Sequence, residues 1–565
     1  MNRLVLLPSA KLIPLELQNE FGKIPSAMIP LDSRPAVHYI YEYYKKEGFD
    51  FLVAVHDMAD EVIKYCNEHE NIMASIVDVG DTRNLGTTTL IALESLKQLP
   101  DYLIINFADT FTGDKLIDGD FIFHHKQEDV YRWTTFQIND CGKIINIRDK
   151  GIDKNNTTES QFVFVGIFGV SDPQKFVDFI RSALLSANGA QSELDPFYVG
   201  LCDYYNSLHK SKITFYPVKH WWDFGHLDTY YETKRKISNN FRYFNNMKVD
   251  NGRGIIQKSS KNSKKLKEEI EWYLKLPSGL QYMAPRIFNY NLSFEEPSVK
   301  MEFYGYPALN DMYLYGNHNI GVWNHIFDAI ENIISDMSEY VLEPIESVAI
   351  LASMKSMYEV KTKLRLKKII SDKRFEQFFY NQITINGKRL LGLNQIMDLL
   401  PDVINKVNLY DLSRFSIIHG DLCLSNILYD QRNRIVRVVD PRGGFGSYDI
   451  YGDPRYDIAK LCHSIEGDYD FLVNSLFSLR QNQKGLNFKV HIQNKHKAIK
   501  TLFRKRLIEK WQVNYTQIKL IESLLFLSMV PLHADKYNSQ IAFIARGLEL
   551  FTAIVNNTLS ITRQD

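Results

Sequence analysis

Residues 415–443 limit what this 565-residue chain can fold into more than any other stretch. Two apolar runs, 415–418 and 435–439, are short enough for strands, and each ends in oxygen-bearing side chains. His419-Gly420-Asp421 and then Asn426 follow the first run, Asp440 follows the second, and turn residues fill 430–433 between them. Two adjacent strand ends can aim Asp421, Asn426 and Asp440 at one point, so a small β island carrying this triad is expected. Carboxylate and carboxamide oxygens suit Mg²⁺, and a further carboxylate can take the proton of an alcohol. Transfer of a phosphoryl group to a hydroxyl needs that combination, with His419 expected to brace the loop by hydrogen bonds.

The chain is too long for a single hydrophobic core, so more than one domain is expected. Lys plus Arg (67) equals Asp plus Glu (67), which leaves no global positive field for a nucleic acid or an anionic membrane and points to small-molecule partners. A homo-oligomer stays open. The five cysteines form no C-x-x-C pair, arguing against a zinc cluster or disulfide framework and for a reducing compartment. No run reaches the length of a membrane span, and the apolar run before Pro8 is too short for a secretory leader. A cytoplasmic protein is expected.

The first ~150 residues alternate apolar runs with helical patterns, the signature of a helix-covered parallel sheet. Strands are expected at 4–7, 51–55 and 102–107, and helices at 36–46, 60–68 and 87–99. A hairpin at 133–138 and 143–148 would make the sheet mixed. Turn-forming residues place a boundary near 233–240. Beyond it, a hairpin is expected over 244–259 around Asp250-Asn251-Gly252, then a helix over 264–276 stopped by Pro277, then a mostly helical region after Met312. No internal repeat occurs.

His419-Gly420-Asp421-Leu422, Asn426 and Asp440, followed by Asp453-Pro454-Arg455-Tyr456-Asp457, resemble the aminoglycoside phosphotransferase and choline kinase family over residues 241–565. The resemblance implies an α+β, bilobal, protein-kinase-like fold with an N-lobe at 236–310 and a C-lobe at 311–565. It implies ATP and Mg²⁺, with Asp421 as catalytic base, Asn426 and Asp440 on the metal, and Asp457 in a structural role. Lys258 would bind the nucleotide phosphates and pair with Glu269. Glu268 is a rival, since one helical position turns a side chain by ~100°. Residues 251–254 would turn over the phosphates and 300–307 would form the lobe hinge.

Residues 1–235 carry, in order, Pro25-Ser26-Ala27-Met28, Leu85-Gly86-Thr87, Asn106-Phe107-Ala108-Asp109, a run ending at Lys150, Val165-Gly166 and Trp222-Asp223. This series resembles the sugar-nucleotide pyrophosphorylase type of nucleotidyltransferase, including phosphocholine cytidylyltransferases. An α/β, mixed-sheet, Rossmann-like domain of the GT-A type is implied. Asp109 and Asp223 would bind Mg²⁺, Lys150 the phosphomonoester, and Gly86 would let the backbone approach the nucleotide. The family's glycine-rich loop is replaced here by Leu7-Pro8-Ser9-Ala10-Lys11, and Ser26 stands at a family lysine. Lys11 or Lys23 could supply the missing charge.

Together the resemblances imply a bifunctional enzyme. It would phosphorylate a small alcohol, an amino alcohol such as choline or ethanolamine, or a sugar. It would then couple the phosphate to a second NTP, CTP by preference, for capsule or surface-glycan biosynthesis. Trp221, Trp222, Tyr230 and Tyr231 are candidates for a quaternary-amine cage. The alternative is a small-molecule kinase with a noncatalytic nucleotide- or sugar-binding first module.

Overall fold

A computed structural model describes residues 2–561 apart from 70, 128–129, 151–161, 188–193, 242–244, 251, 261–262, 294, 345, 381–382, 413 and 483–484. The chain divides into two compact units, Met1–Ile237 and Ser238–Asp565.

In the first unit, Arg3–Ser9 lies parallel between Asp50–Val55 and Tyr102–Asn106, and Ser75–Asp78 extends the parallel set. Val5, Leu6 and Leu7 are fully buried, as expected of an inner strand covered on both faces. Helices Ala36–Lys46, Ala59–Glu68 and Leu85–Glu94 follow in the connections. Phe162–Val170 then runs antiparallel to Tyr102–Asn106 and pairs with Asp120–His125 and Thr135–Ile138, which makes the sheet mixed. The hairpin of Thr135–Ile138 with Ile144–Arg148 closes one edge. A separate ribbon of Thr110–Thr112 and Trp221–Asp223 holds together segments more than a hundred residues apart.

Two expectations shift. The helix expected at 87–99 starts at Leu85, because the Asn84 side chain caps it by accepting from Thr87 N–H at 2.8 Å, and it ends at Glu94. The supposed turn cluster at 233–240 lies inside the helix Leu227–Phe241, since Lys, Arg and Ile tolerate a helix well.

In the second unit, a four-stranded antiparallel sheet has the order Asn245–Asp250, Ile255–Ser260, Ser298–Glu302, Ile287–Asn291. Asn251 of the expected phosphate-covering turn lies outside the described residues. Helix Ser263–Lys275 follows the hairpin and buries Leu266, Ile270 and Trp272. After Leu309 the unit is mainly helical, its interior built on helices such as Ile320–Glu339, Tyr515–Met529 and Tyr537–Ile561.

The β island differs from expectation. Ser416–Ile417 pairs with Tyr451–Gly452, while Ile427–Asp430 pairs with Ile435–Val438. Asp421 and Asn426 therefore sit on the connection between two small ribbons, not at the end of a strand beside the one preceding Asp440. A second four-stranded sheet, Lys388–Leu390, Ile383–Ile385, Gly485–Val490 and Phe477–Asn482, was not expected. Its first two strands are three residues long and join the hairpin through a pairing about a hundred residues distant, Ile385 with Leu486. Among the described residues no helix is long and apolar enough to cross a membrane, and all five cysteines are free.

Two candidate active sites

In the second unit the Lys258 ammonium stands 2.8 Å from both Glu269 carboxylate oxygens and 2.8 Å from Asp440 Oδ1. The alternation of Ile255–Ser260 turns Lys258 inward to 4% exposure, and Ser263–Lys275 presents Glu269 at 3% exposure. Burial opposes the lysine's charge, yet Asp440 and Glu269 hold its ammonium above its ordinary range. Glu268, the rival, instead faces Lys264 at 3.8 Å. Asp440 takes φ +57°, and its N–H donates to the Tyr273 hydroxyl at 3.1 Å. Close packing fixes this turn: at Gly443 (φ +71°) a Cβ would lie 2.1 Å from the Glu268 carbonyl oxygen, so only glycine lets the loop reach the helix carrying Glu269.

The Asp421 loop is held from beneath. Asp457, buried on helix Arg455–Ile465, accepts from His419 N–H at 2.7 Å and Gly420 N–H at 2.8 Å. Burial pushes its carboxyl up to about 7 against those two donors. His419 is fully buried, which lowers its pKa to about 4 and keeps the ring neutral. Its Nδ1 accepts from Asp421 N–H, so Nε2–H donates to Val439 O at 3.0 Å. The histidine thus ties the Asp421 loop to the residue before Asp440. Asn426 Nδ2 donates to Asp421 O at 2.9 Å, and Val439 N–H donates to Asn426 O at 3.0 Å. Asp421, Asn426 and Asp440 are in this way brought onto one bonded framework, and their oxygen donor set fits a hard divalent cation.

Sequence reasoning missed Lys460, whose ammonium lies 2.7 Å from Asp421 Oδ1. Burial raises the Asp421 carboxyl, but Lys460 outweighs it and leaves the group below its ordinary value. The available signal was its position one turn after Asp457 on the same helix. In the stretch read as a hinge, Phe303 N–H donates to Gly254 O at 2.8 Å, and Tyr304 and Tyr306 stack at 5.6 Å.

In the first unit, the pairing of Asp223 with Thr110 sets Asp223 beside Asp109, and Phe224 N–H donates to Asp109 O at 3.0 Å. Gly225 separates the two carboxylates: a Cβ there would meet Asp109 Oδ2 at 2.8 Å, while Gly225 N–H reaches Asp223 Oδ1 at 3.4 Å. Burial, then Asp109, pushes the Asp223 carboxyl up to about 6; burial raises Asp109, with the Lys150 charge pulling back. Two carboxylates, one of which raises the pKa of the other, are a donor set that a divalent cation would relieve. Trp133, another residue sequence reasoning missed, donates from Nε1 to Asp223 Oδ2 at 3.3 Å.

A separate cleft of about 300 Å³ lies past the end of Arg3–Ser9, lined by Ser9, Lys11, Ser26, Arg83, Thr88 and Asp195 among others. Lys11 pairs there with Asp81 at 2.7 Å. Lys23 is exposed and does not line this cleft. Gly86 is buried, and the contact its missing Cβ permits is with Phe197 N at 3.2 Å; the close approach is to the protein's own helix Pro196–Asn206. The four aromatic candidates do not form a cage. Tyr230 is fully buried with its hydroxyl on Pro30 O, Tyr231 bonds Glu20, and Trp221 and Trp222 alternate on one strand, Trp222 stacking on Phe111.

No protein-family model and no curated protein matches the chain. Among solved structures it is similar to a CTP:phosphocholine cytidylyltransferase from Streptococcus pneumoniae, at 14% identity over 42% of this chain and 100% of that one, TM-score 0.33. It is also similar to HddC from Yersinia pseudotuberculosis in complex with GMP-PN, at 16% identity over 42% and 99%, TM-score 0.31. A thermostable mutant of aminoglycoside phosphotransferase APH(4)-Ia matches at 11% identity over 55% of this chain and 89% of that one, TM-score 0.33. The N-terminal part is thus similar to nucleotidyltransferases, and a larger share of the chain to an aminoglycoside phosphotransferase.

Proposed function

We propose that the chain is a bifunctional transferase: residues 236–565 phosphorylate a small alcohol with ATP, and residues 1–235, a Rossmann-like GT-A-type domain, couple the product to a second NTP, CTP by preference. The observation that carries the reading is the buried Lys258–Glu269 pair with the half-exposed Asp440 on its lysine, joined through His419 to the Asp421 loop. Asp421, kept ionised by Lys460, takes the proton as the acceptor's O–H bond breaks. The acceptor oxygen bonds to the γ-phosphorus, the bond to the β-phosphate oxygen breaks, and ADP departs with that electron pair. Lys258, held by Glu269, positions the triphosphate. Mg²⁺, held by Asn426 and Asp440, would supply neutralisation of phosphate charge.

In the first unit the phosphomonoester oxygen bonds to the α-phosphorus of the NTP, and pyrophosphate leaves. Asp109 and Asp223 would hold the metal that offsets the repulsion between two anions, and Lys150 would orient the phosphomonoester. Lys11 borders the cleft in which the triphosphate is read to lie. Loss of the glycine-rich loop favours the second reading, a noncatalytic first module. Two assays separate them: ADP formation with a panel of alcohols, and pyrophosphate release from each NTP with the matching phosphate. Release of ADP without any release of pyrophosphate selects the second reading. Capsule or surface-glycan biosynthesis and a cytoplasmic site of action remain part of the proposal.

A further inference from the structure

We propose that the alcohol phosphorylated by the second unit already carries a negative group, a carboxylate or a phosphate, and that Lys361, Arg442 and Lys460 hold that group beside Asp421. The inference rests on the kinase reading and narrows its acceptor.

Arg442 follows Asp440 by two residues, and its N–H donates to His419 O at 2.9 Å. Its side-chain stem lies against the Asp421 loop, because a Cβ at Gly420 would come within 2.9 Å of Arg442 Cβ. The guanidinium donates to the Tyr456 hydroxyl at 3.0 Å. One helical turn beyond Tyr456, Lys460 reaches Asp421. Lys361 opens helix Lys361–Ile370 directly after a π-helical turn, Lys355–Val360, a distortion that recurs at functional sites. Tyr358, about one turn before Lys361 on that helical run, lies with its ring 6.4 Å from the ring of Tyr456, which brings Lys361 to the side of the tyrosine that Arg442 binds.

Three cations therefore gather around Tyr456 with Asp421 as the one paired carboxylate. The other nearby carboxylates are already engaged. Asp440 is paired with Lys258, Asp453 is gripped by Arg455 and Tyr358, Asp457 by the loop N–H groups, and Glu359 by Lys363 and Tyr410. Among the described residues neither Lys361 nor Arg442 forms an ion pair, and burial lowers the Lys361 pKa. A site with this surplus of positive charge repels a quaternary amine. It receives a carboxylate or phosphate, which the planar fork of Arg442 can bind through two hydrogen bonds. In the reaction the acceptor's hydroxyl proton still passes to Asp421 and ADP still leaves; the anion only fixes which alcohol lies in line.

The test is ADP release by the full-length protein with Mg²⁺ and ATP, using glycerate, glycerol phosphate, glycerol, choline and ethanolamine as acceptors. We expect glycerate or glycerol phosphate to exceed the neutral and cationic alcohols in kcat/KM by roughly tenfold or more, the two anions distinguishing carboxylate from phosphate. Lys361→Gln is expected to raise KM for the preferred anion by roughly tenfold, leave KM for ATP unchanged, and be rescued by Lys361→Arg. Preference for choline, ethanolamine or glycerol would overturn the proposal while leaving the kinase reading intact. A Lys361→Gln variant in which KM for ATP rises instead would overturn it too, assigning the cluster to the triphosphate. No ADP from any acceptor removes the kinase reading and this inference with it.

Discussion

Replacing Lys258 by Met strands Glu269 at 3% exposure without a cation, and the cost follows from the protonation state that burial then forces. Asp440 is 39% exposed and rehydrates, so Glu269 bears the penalty. A buried carboxyl lacking a counter-ion takes a pKa above neutrality. Its value in the unfolded chain is near the ordinary 4.5. In the unmodified protein burial already pushes the Glu269 carboxyl up to about 7 against the pull of Lys258. A folded-state pKa raised above the unfolded one erodes stability as pH rises toward the folded value, so between pH 4.5 and 7 the two proteins lose stability alike. Above pH 7 the unmodified protein levels off while the variant, whose carboxyl is raised further, goes on losing about 1.4 kcal/mol per pH unit. Urea unfolding of the full chain at pH 7 and pH 8.5 measures the widening gap, on the transition that a nonhydrolysable ATP analogue shifts in the unmodified protein. Lys258→Met/Glu269→Leu should lose that pH dependence. A destabilisation equal at pH 7 and pH 8.5, or a double variant with the same slope as the single one, would refute the reasoning.

Three further outcomes are expected. Gly443→Ala forces a Cβ to 2.1 Å from Glu268 O at φ +71°, so thermal denaturation should show a loss above ~2 kcal/mol and KM for ATP should rise as the helix bearing Glu269 shifts. Asp457→Asn replaces an oxygen acceptor with an N–H₂ facing a backbone N–H; a loss of roughly 1–3 kcal/mol and a fall in kcat for ADP formation should appear together. Lys11→Ala removes an exposed pair with Asp81, so the thermal denaturation midpoint should stay unchanged while KM for the second NTP rises in the pyrophosphate assay.

What the sequence disclosed depended on how local the cause was. Strands 51–55 and 102–107 and helix 36–46 were legible to within a residue because unbroken apolar runs and amphipathic spacing act within one element. Lys258 and Glu269 were legible as a pair through the family resemblance, with Glu268 a rival that only the packing of the helix removes. Lys460 and Trp133 were not, since their roles arise from contacts 39 and 90 residues away in sequence, with Asp421 and Asp223. The ribbon partners of the β island were misjudged for the same reason: strands of two to four residues carry almost no periodic signal. Gly86 was read as opening the backbone to a ligand, whereas the space it leaves is filled by the helix at Phe197. The cluster of Lys361, Arg442 and Lys460 draws on three separate elements, and no single motif announces it.

Phosphorus NMR of a single reaction containing an acceptor alcohol, ATP, CTP and Mg²⁺ tests the two-step claim most directly. The unmodified protein should produce a phosphomonoester that converts to a diphosphodiester. Asp421→Ala should make neither product unless given the phosphomonoester, which it then converts, and Asp109→Ala should stop at the phosphomonoester. A diphosphodiester formed by Asp109→Ala, an Asp421→Ala variant that fails to convert the supplied phosphomonoester, or an Asp109→Ala variant that forms no phosphomonoester would contradict two independent sites joined in one chain.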